Sequence, residues 1–296
     1  MNINLKNKPT RKIIWKSSIN KKNAIKLLQL QEEMAEFYQN ANDYYDNIDY
    51  TSDTWNDITQ LEAQDILSEA KKHEKILEVG CGRANILKSG KIDQKCYTGF
   101  DFSRKIIQEN CKDYPKATFH CLKDVFRFPV GMEQYDFVFS HYVLEHCIFP
   151  SKFLDECIRV LKLNGTLVIL CPDFLGVGRM SSQRAGFSAG PGRQKISIGM
   201  YSDAIITGFD NKIKIPLYSF YYRILANIRP RFYVNLHPTC FVDKFSADVD
   251  AVYLTYTEEI KKYLSSNIKW VALPQSLSMF SKRNAHIYLK GIKVNS

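Results

Sequence analysis

The stretch ILEVGCGRAN, residues 76–85, decides how this chain is read. Four residues of strand character run into Gly80-Cys81-Gly82, and a helical pattern follows with Ile86 and Leu87. Glycines between a strand and a helix reach backbone conformations closed to other residues and let a ligand come close to the main chain. In open α/β sheets such turns lie at the carboxyl ends of strands, where ligands bind. The stretch therefore predicts a binding turn in an α/β sheet. Its glycines do not name the ligand.

Strand–helix alternation extends outward from this turn. Strands are predicted at 75–80, 96–102, 117–122, 135–142 and 165–172, the last nearly all apolar, as expected of a central parallel strand. A helix follows Ser103, a suitable N-cap, and another spans 150–162 and ends at Asn164-Gly165. Apolar residues recurring at three and four predict helices at about 24–42 and 58–72, with an aromatic, polar loop at 43–57 between them. After Pro172 the pattern stops: 174–215 is rich in Gly, Ser and Arg, and 215–238 is aromatic and basic. Regularity returns with a helix at 257–266 and strands at 268–273 and 286–294. The expected organisation is a basic arm (1–26), a helical cap (27–73) and a doubly wound α/β domain (74–296), with an insertion at 174–240 after the fifth strand.

Composition narrows the function classes. The chain has 296 residues, 45% of them hydrophobic, enough for a sizeable core and against wholesale disorder. Its longest apolar runs, such as TLVILC at 166–171, fall far below the roughly 20 residues that span a bilayer. No transmembrane segment is predicted, and the first residues lack the apolar stretch of a secretory signal. Eight cysteines are scattered without a CxxC pair, which favours reduced thiols in a cytoplasmic protein over disulfides or a metal site. The net charge of +10 is uneven: +8 over 1–26, −9 over 27–73, +1 over 74–173, +7 over 174–240 and +3 thereafter. A balanced core thus carries basic accessories, which suit an acidic substrate, nucleic acid or an anionic lipid surface.

Two ligands compete for the glycine turn. A dinucleotide site uses GxGxxG, but here Asn85 stands where the third glycine belongs. S-adenosylmethionine has no phosphate and needs close backbone approach, an acid for its ribose hydroxyls and a slot for adenine. ILEVGCGRAN resembles motif I of the class I S-adenosylmethionine-dependent methyltransferases (type 11-like), with Ala84 replacing that motif's third glycine. YTGFDFS (97–103) is similar to their second-strand end, CLKDVFRFPV (121–130) to their adenine segment, YDFVFSHYVLEHC (135–147) to their fourth strand, and VLKLNGTLVILCPD (160–173) to their fifth.

The resemblance implies a Rossmann-like sheet of seven strands, the last antiparallel, and S-adenosylmethionine as cofactor. It implies cofactor contacts from Glu78, Gly80, Cys81, Gly82, Asp101, Phe102, Asp124, Val125, Ser140 and His141. Asp101 would accept from both ribose hydroxyls and Asp124 from the adenine amino group. The implied reaction is in-line attack of an acceptor atom on the sulfonium methyl, to which the protein contributes alignment and desolvation. An acceptor of high pKa also needs a base, and His141, His146 and His237 are the candidates.

In such enzymes the N-terminal cap and the segment after the fifth strand shape the acceptor pocket. This points to Tyr44, Tyr45, Tyr222, Arg229 and Arg231. RPRFYVNLHP with the residues that follow is similar to tails of bacterial methyltransferases in glycan and secondary-metabolite biosynthesis. A small-molecule acceptor is therefore expected. The alternatives are a nucleic-acid methyltransferase that uses its basic regions on phosphates, and a protein that binds S-adenosylmethionine without catalysis. The nucleic-acid reading lacks both a recognisable RNA-binding module and a (D/N)PP(Y/F) motif.

Overall fold

A computed structural model describes residues 15–40, 55–57, 59–124, 126–176, 192–236 and 250–295. Its main sheet has seven strands: β2 (Ile76–Val79), β3 (Tyr97–Asp101), β4 (Thr118–Cys121), β5 (Tyr135–His141), β6 (Leu161–Pro172), β8 (Ile268–Trp270) and β9 (His286–Lys293). Their order across the sheet is β4-β3-β2-β5-β6-β9-β8. The five strands from β4 to β6 are parallel, and β9 runs antiparallel to both β6 and β8. This is the doubly wound sheet with a reversed last strand that the motifs imply. β1 (Trp15–Ser17) pairs antiparallel with β7 (Tyr233–Asn235) in a separate two-stranded ribbon.

The helices are α1 (Ala24–Asn40), α2 (Leu61–Ala70), α3 (Asn85–Lys88), α4 (Arg104–Asp113), α5 (Pro150–Val160), α6 (Gly192–Ser197), α7 (Tyr201–Phe209), α8 (Ile215–Ile228), α9 (Thr257–Tyr263) and α10 (Gln275–Arg283). Two core layers cover the sheet. On one face Leu27, Leu30 and Met34 of α1 and Phe153, Leu154 and Cys157 of α5 meet Leu77, Val79 and Val138. On the other, Ile66, Leu67 and Ala70 of α2 and Leu277 of α10 meet Ile76, Phe137 and Phe139. Each fully buried side chain of this kind contributes roughly 1.5–3 kcal/mol. The helices expected as a cap thus lie in opposite layers of the main core.

Three boundaries differ from the sequence reading. The helix at 150–162 ends at Val160, because Leu161 is fully buried and pairs with Tyr135 as the first residue of β6. Asn164, at φ 61°, then carries the irregularity before the strand resumes. The strand expected over 268–273 stops at Trp270, and Pro274 starts α10, a helix the sequence reading omitted. The Gly- and Ser-rich insertion also holds α6, α7 and α8 among its described residues. Tertiary burial decided the first case, and unrecognised helix signals the others.

Candidate functional site

The carboxyl ends of β4, β3, β2, β5 and β6 share one edge, and the turns that follow them form the site. After β2 the chain turns at Gly80, whose N–H donates to the Phe100 carbonyl at 2.7 Å; the Cys81 N–H donates to the same oxygen at 2.8 Å. Gly80 has φ 77°, and a Cβ there would overlap the Val143 side chain. Its glycine is required by packing. Gly82, at φ 46°, differs, because nothing lies within 4 Å of where its Cβ would stand. The Gly82 N–H donates to Asp101 Oδ2 at 2.9 Å, and its carbonyl accepts from Asn110 Nδ2 at 2.7 Å. Of the two glycines, Gly82 presents its backbone to open space.

Asp101 ends β3, and its Oδ1 accepts from the Ser103 N–H at 2.9 Å while Ser103 caps α4. The carboxylate thus ties the glycine turn to the next helix, and these two bonds fix its plane. Glu78 lies beneath the turn as acceptor of the Tyr97 hydroxyl. Burial, reinforced by the nearby Asp101 charge and opposed by the Tyr97 bond, pushes its carboxyl up to about 8. The Cys81 thiol points into the core near Gly99 and Asn110, and burial raises its pKa well above the usual thiol range. Phe102 packs against the core, and Asp124 Oδ1 accepts from the Phe126 N–H at 2.7 Å, capping its own turn. Val125 lies outside the described residues.

Along β5, Phe137 and Phe139 face one core layer and Val138 the other. Ser140 follows with its hydroxyl buried and unpartnered among the described residues. His141 is packed beneath Trp55, with ring centroids 5.2 Å apart, and beside Tyr142 at 4.7 Å. Burial lowers its pKa to about 4 despite the opposing Glu62 charge, so the ring is neutral near pH 7. Tyr142, at φ 56°, places its hydroxyl 3.0 Å from His286 Nε2, and His286 Nδ1 lies 2.8 Å from Glu62 Oε2. His146 is held elsewhere: its Nδ1 is 3.1 Å from Asp250 Oδ2, which also accepts from the Tyr38 hydroxyl at 2.7 Å. At the end of β6, burial raises the Asp173 carboxyl to about 6 although it accepts from the Gly176 N–H.

The structure therefore brings Glu78, Gly82, Asp101, Ser140 and His141 to one sheet edge. His237, Tyr44 and Tyr45 lie outside the described residues. Tyr222 packs on Tyr233 at 4.2 Å, in a cluster with Trp15, Phe174 and Leu175. Arg229 and Arg231 are exposed, and the Arg231 N–H donates to Glu259. These three join the ribbon side of the molecule, and no described contact links them to His141. The sequence reading overlooked Trp55, Glu62, Asn110, Tyr142 and His286. Glu62 and His286 meet across 224 residues, a pairing no local pattern announces. Gly99 was legible, since a glycine inside a strand marks close approach, here of Cys81 and Phe119.

A doubly wound sheet with this turn and acid at its switch region defines a nucleoside-binding α/β enzyme. Residues 77–169 match the family model for a methyltransferase domain. Residues 77–169 thus carry a methyltransferase domain, and the protein is an enzyme with S-adenosylmethionine as its cofactor. No match was found among curated proteins.

Among solved structures, the chain is similar to a Burkholderia thailandensis 1,6-didemethyltoxoflavin-N1-methyltransferase holding 1,6-didemethyltoxoflavin and S-adenosylhomocysteine (12% identity, 97% of this chain and 94% of that one, TM-score 0.48). It is also similar to the PH0226 protein of Pyrococcus horikoshii (13%, 78% and 87%, TM-score 0.45). A third is an amino pentose methyltransferase from Micromonospora echinaspora (18%, 36% and 48%, TM-score 0.32). Likenesses this distant say nothing about the acceptor.

The residues present fit the cofactor. Gly82 leaves its side open, Ser140 carries a buried hydroxyl without a partner among the described residues, and Asp101 supplies a carboxylate able to accept from ligand hydroxyls.

Proposed function

We propose that the enzyme methylates a small-molecule acceptor, of the secondary-metabolite, sugar or glycan-precursor class, held beside His141. The observation that supports this most is the Trp55 ring over His141 and Phe139, at centroid distances of 5.2 and 6.4 Å. The buried indole covers the strand end, whereas a nucleic-acid strand needs an open, basic path. We divide the chain as a basic arm (1–26), a helical segment (27–73) whose helices pack on the two faces of the sheet, and a methyltransferase domain (74–296), whose insertion at 174–240 shapes the acceptor side. The seven described cysteines are free, which supports a reducing, cytoplasmic setting, and a small-molecule acceptor would place the enzyme in biosynthesis there.

In this reading Gly82, Asp101 and Ser140 hold the cofactor, Asp101 through the ribose hydroxyls and Gly82 by leaving free the space its Cβ would fill. Phe102, Asp124 and Val125 border the adenine. Glu78 and Cys81 support the turn from below. S-adenosylmethionine supplies a methyl group on an electrophilic sulfonium. His141, neutral near pH 7, accepts a hydrogen bond from the acceptor's O–H or N–H and aims it. Tyr142, set by His286 and Glu62, offers a second polar contact at the same strand end. His146, 3.1 Å from Asp250 Oδ2, remains the second candidate for acceptors that must lose a proton.

The test is untargeted mass spectrometry of extract incubated with enzyme and deuterated-methyl S-adenosylmethionine. Label in a small molecule is the expected result. Label in RNA alone would overturn the acceptor class. His141→Ala should lower turnover by about 10²-fold, and unchanged turnover would remove His141 from the mechanism.

A further inference from the structure

Helices on a globular surface ordinarily bury their apolar stripe and expose polar residues. α7 and α8 depart from this by leaving apolar stripes exposed. They follow one another through a π-helical turn at Asp210–Lys214, just before Pro216, whose ring cannot continue the regular bonding. On α8 the exposed stripe is Leu217, Phe220, Tyr221, Ile224 and Ile228, at 44–69% exposure and at helical spacing. On α7, Tyr201, Ile205 and Phe209 continue an exposed apolar face at 54–73%. More than half of the large hydrophobic side chains that stand exposed among the described residues lie between 192 and 228. The inward side of α6, α7 and the π-turn holds Lys195, Thr207 and Asp210, all buried, whereas α8 buries Ile215 and Ala226. Lys195 Nζ donates to Thr207 Oγ1 at 2.7 Å and lies 3.0 Å from Asp203 Oδ2. Charges are paired inside, and apolar side chains face out.

The charge pattern says what covers this face. Between 192 and 231 every exposed charged residue is basic, namely Arg193, Lys212, Arg229 and Arg231, while Asp203 and Asp210 are turned inward. An exposed apolar face marks an interaction site, and the basic surplus of the segment that carries it selects an anionic partner. A second copy would bring like charges together, and nucleic acid would leave the apolar stripe uncovered. No described helix is long and apolar enough to cross a membrane. Apolar and aromatic residues on one face with cations around them characterise helices that lie in the plane of a lipid surface. Tyr222 fixes α8 to Tyr233 and, through the same cluster, to Phe174 and Leu175, which directly follow β6. The face is thereby anchored to the carboxyl edge of the sheet.

We propose that the outward face of α7 and α8 docks on an anionic lipid bilayer surface. The proposal is independent of the acceptor's identity.

The experiment is co-sedimentation of the full chain with vesicles of phosphatidylcholine alone or of phosphatidylcholine with phosphatidylglycerol, at low and high salt. Binding to the anionic vesicles should exceed binding to the neutral ones at least tenfold and weaken with salt. Phe220→Glu with Ile224→Glu should reduce it at least tenfold while the melting transition and cofactor affinity stay unchanged. Lys212→Gln with Arg229→Gln should reduce it severalfold. Binding that ignores lipid charge, or no binding, would overturn the proposal. So would a stable dimer in the absence of lipid that the Phe220→Glu, Ile224→Glu variant abolishes, because that face would then be covered by a second copy.

Discussion

In the glycine turn after β2, polar groups go inward and meet partners: Glu78 takes the Tyr97 hydroxyl, Asp101 takes two backbone N–H groups, and Asn110 holds the Gly82 carbonyl. Around α7 polar groups also go inward and pair, but the surface left outside α7 and α8 is apolar where the turn leaves backbone and acid. Both regions spend buried hydrogen bonds on presenting a particular face. The face of the turn suits a polar, cationic small molecule, and that of the helices suits an extended apolar medium. A buried polar network therefore shows that a surface is held in place, and only the chemistry of the exposed side tells what meets it.

The sharpest way to break this comparison lies within the turn itself. Gly80→Ala should cost about 3 kcal/mol or more, since a Cβ would overlap Val143 on a left-handed backbone, and thermal melting checks it. Gly82→Ala meets no neighbour and should cost only about 1 kcal/mol of stability, while weakening S-adenosylhomocysteine binding at least tenfold. Equal stability losses at the two positions would contradict the division of their roles.

Glu78→Gln addresses the buried acid. The folded pKa of Glu78, about 8, lies above its ordinary 4.5, so the native state favours the protonated form. Its contribution to stability is fully present below about 4.5 and is lost as pH rises toward about 8. The variant does not titrate, so its advantage over the natural protein should grow across that window, by an amount on the order of 3 kcal/mol at pH 7. Melting curves at pH 5 and pH 8 measure it.

His141 shifts the other way. Its folded pKa of about 4 lies below the usual 6.5, so its stability contribution is present above 6.5 and lost as pH falls toward about 4. Between pH 7 and 9 the activity lost in His141→Ala should therefore be constant, and a loss that varies with pH there would assign His141 a titrating role. The smallest effect is expected on the reversed helix, where Ile224→Ser should change stability in water by about 0.5 kcal/mol or less, because the side chain is exposed.

The sheet was legible because its strands are short apolar runs separated by turn residues, and five motif ends fall where parallel strands must finish. β6 shows where this fails: Leu161 and Lys162 read as helix until burial against Tyr135 makes them strand. The pairing of the Gly82 turn with Asp101 was legible for the same local reason. The acceptor side was not, since Trp55, Glu62 and His286 reach His141 and Tyr142 only through the folded topology. α7 and α8 escaped because Gly, Ser and Pro interrupt a segment whose exposed face is apolar, which inverts the pattern by which surface helices are recognised.

The most direct measurement is calorimetric titration of the full chain with S-adenosylhomocysteine, alongside Asp101→Ala. One site per chain is predicted, with affinity reduced at least 100-fold in the variant, equivalent to about 2.7 kcal/mol. Unchanged affinity in Asp101→Ala would contradict the assignment of the cofactor to the Gly82–Asp101 turn.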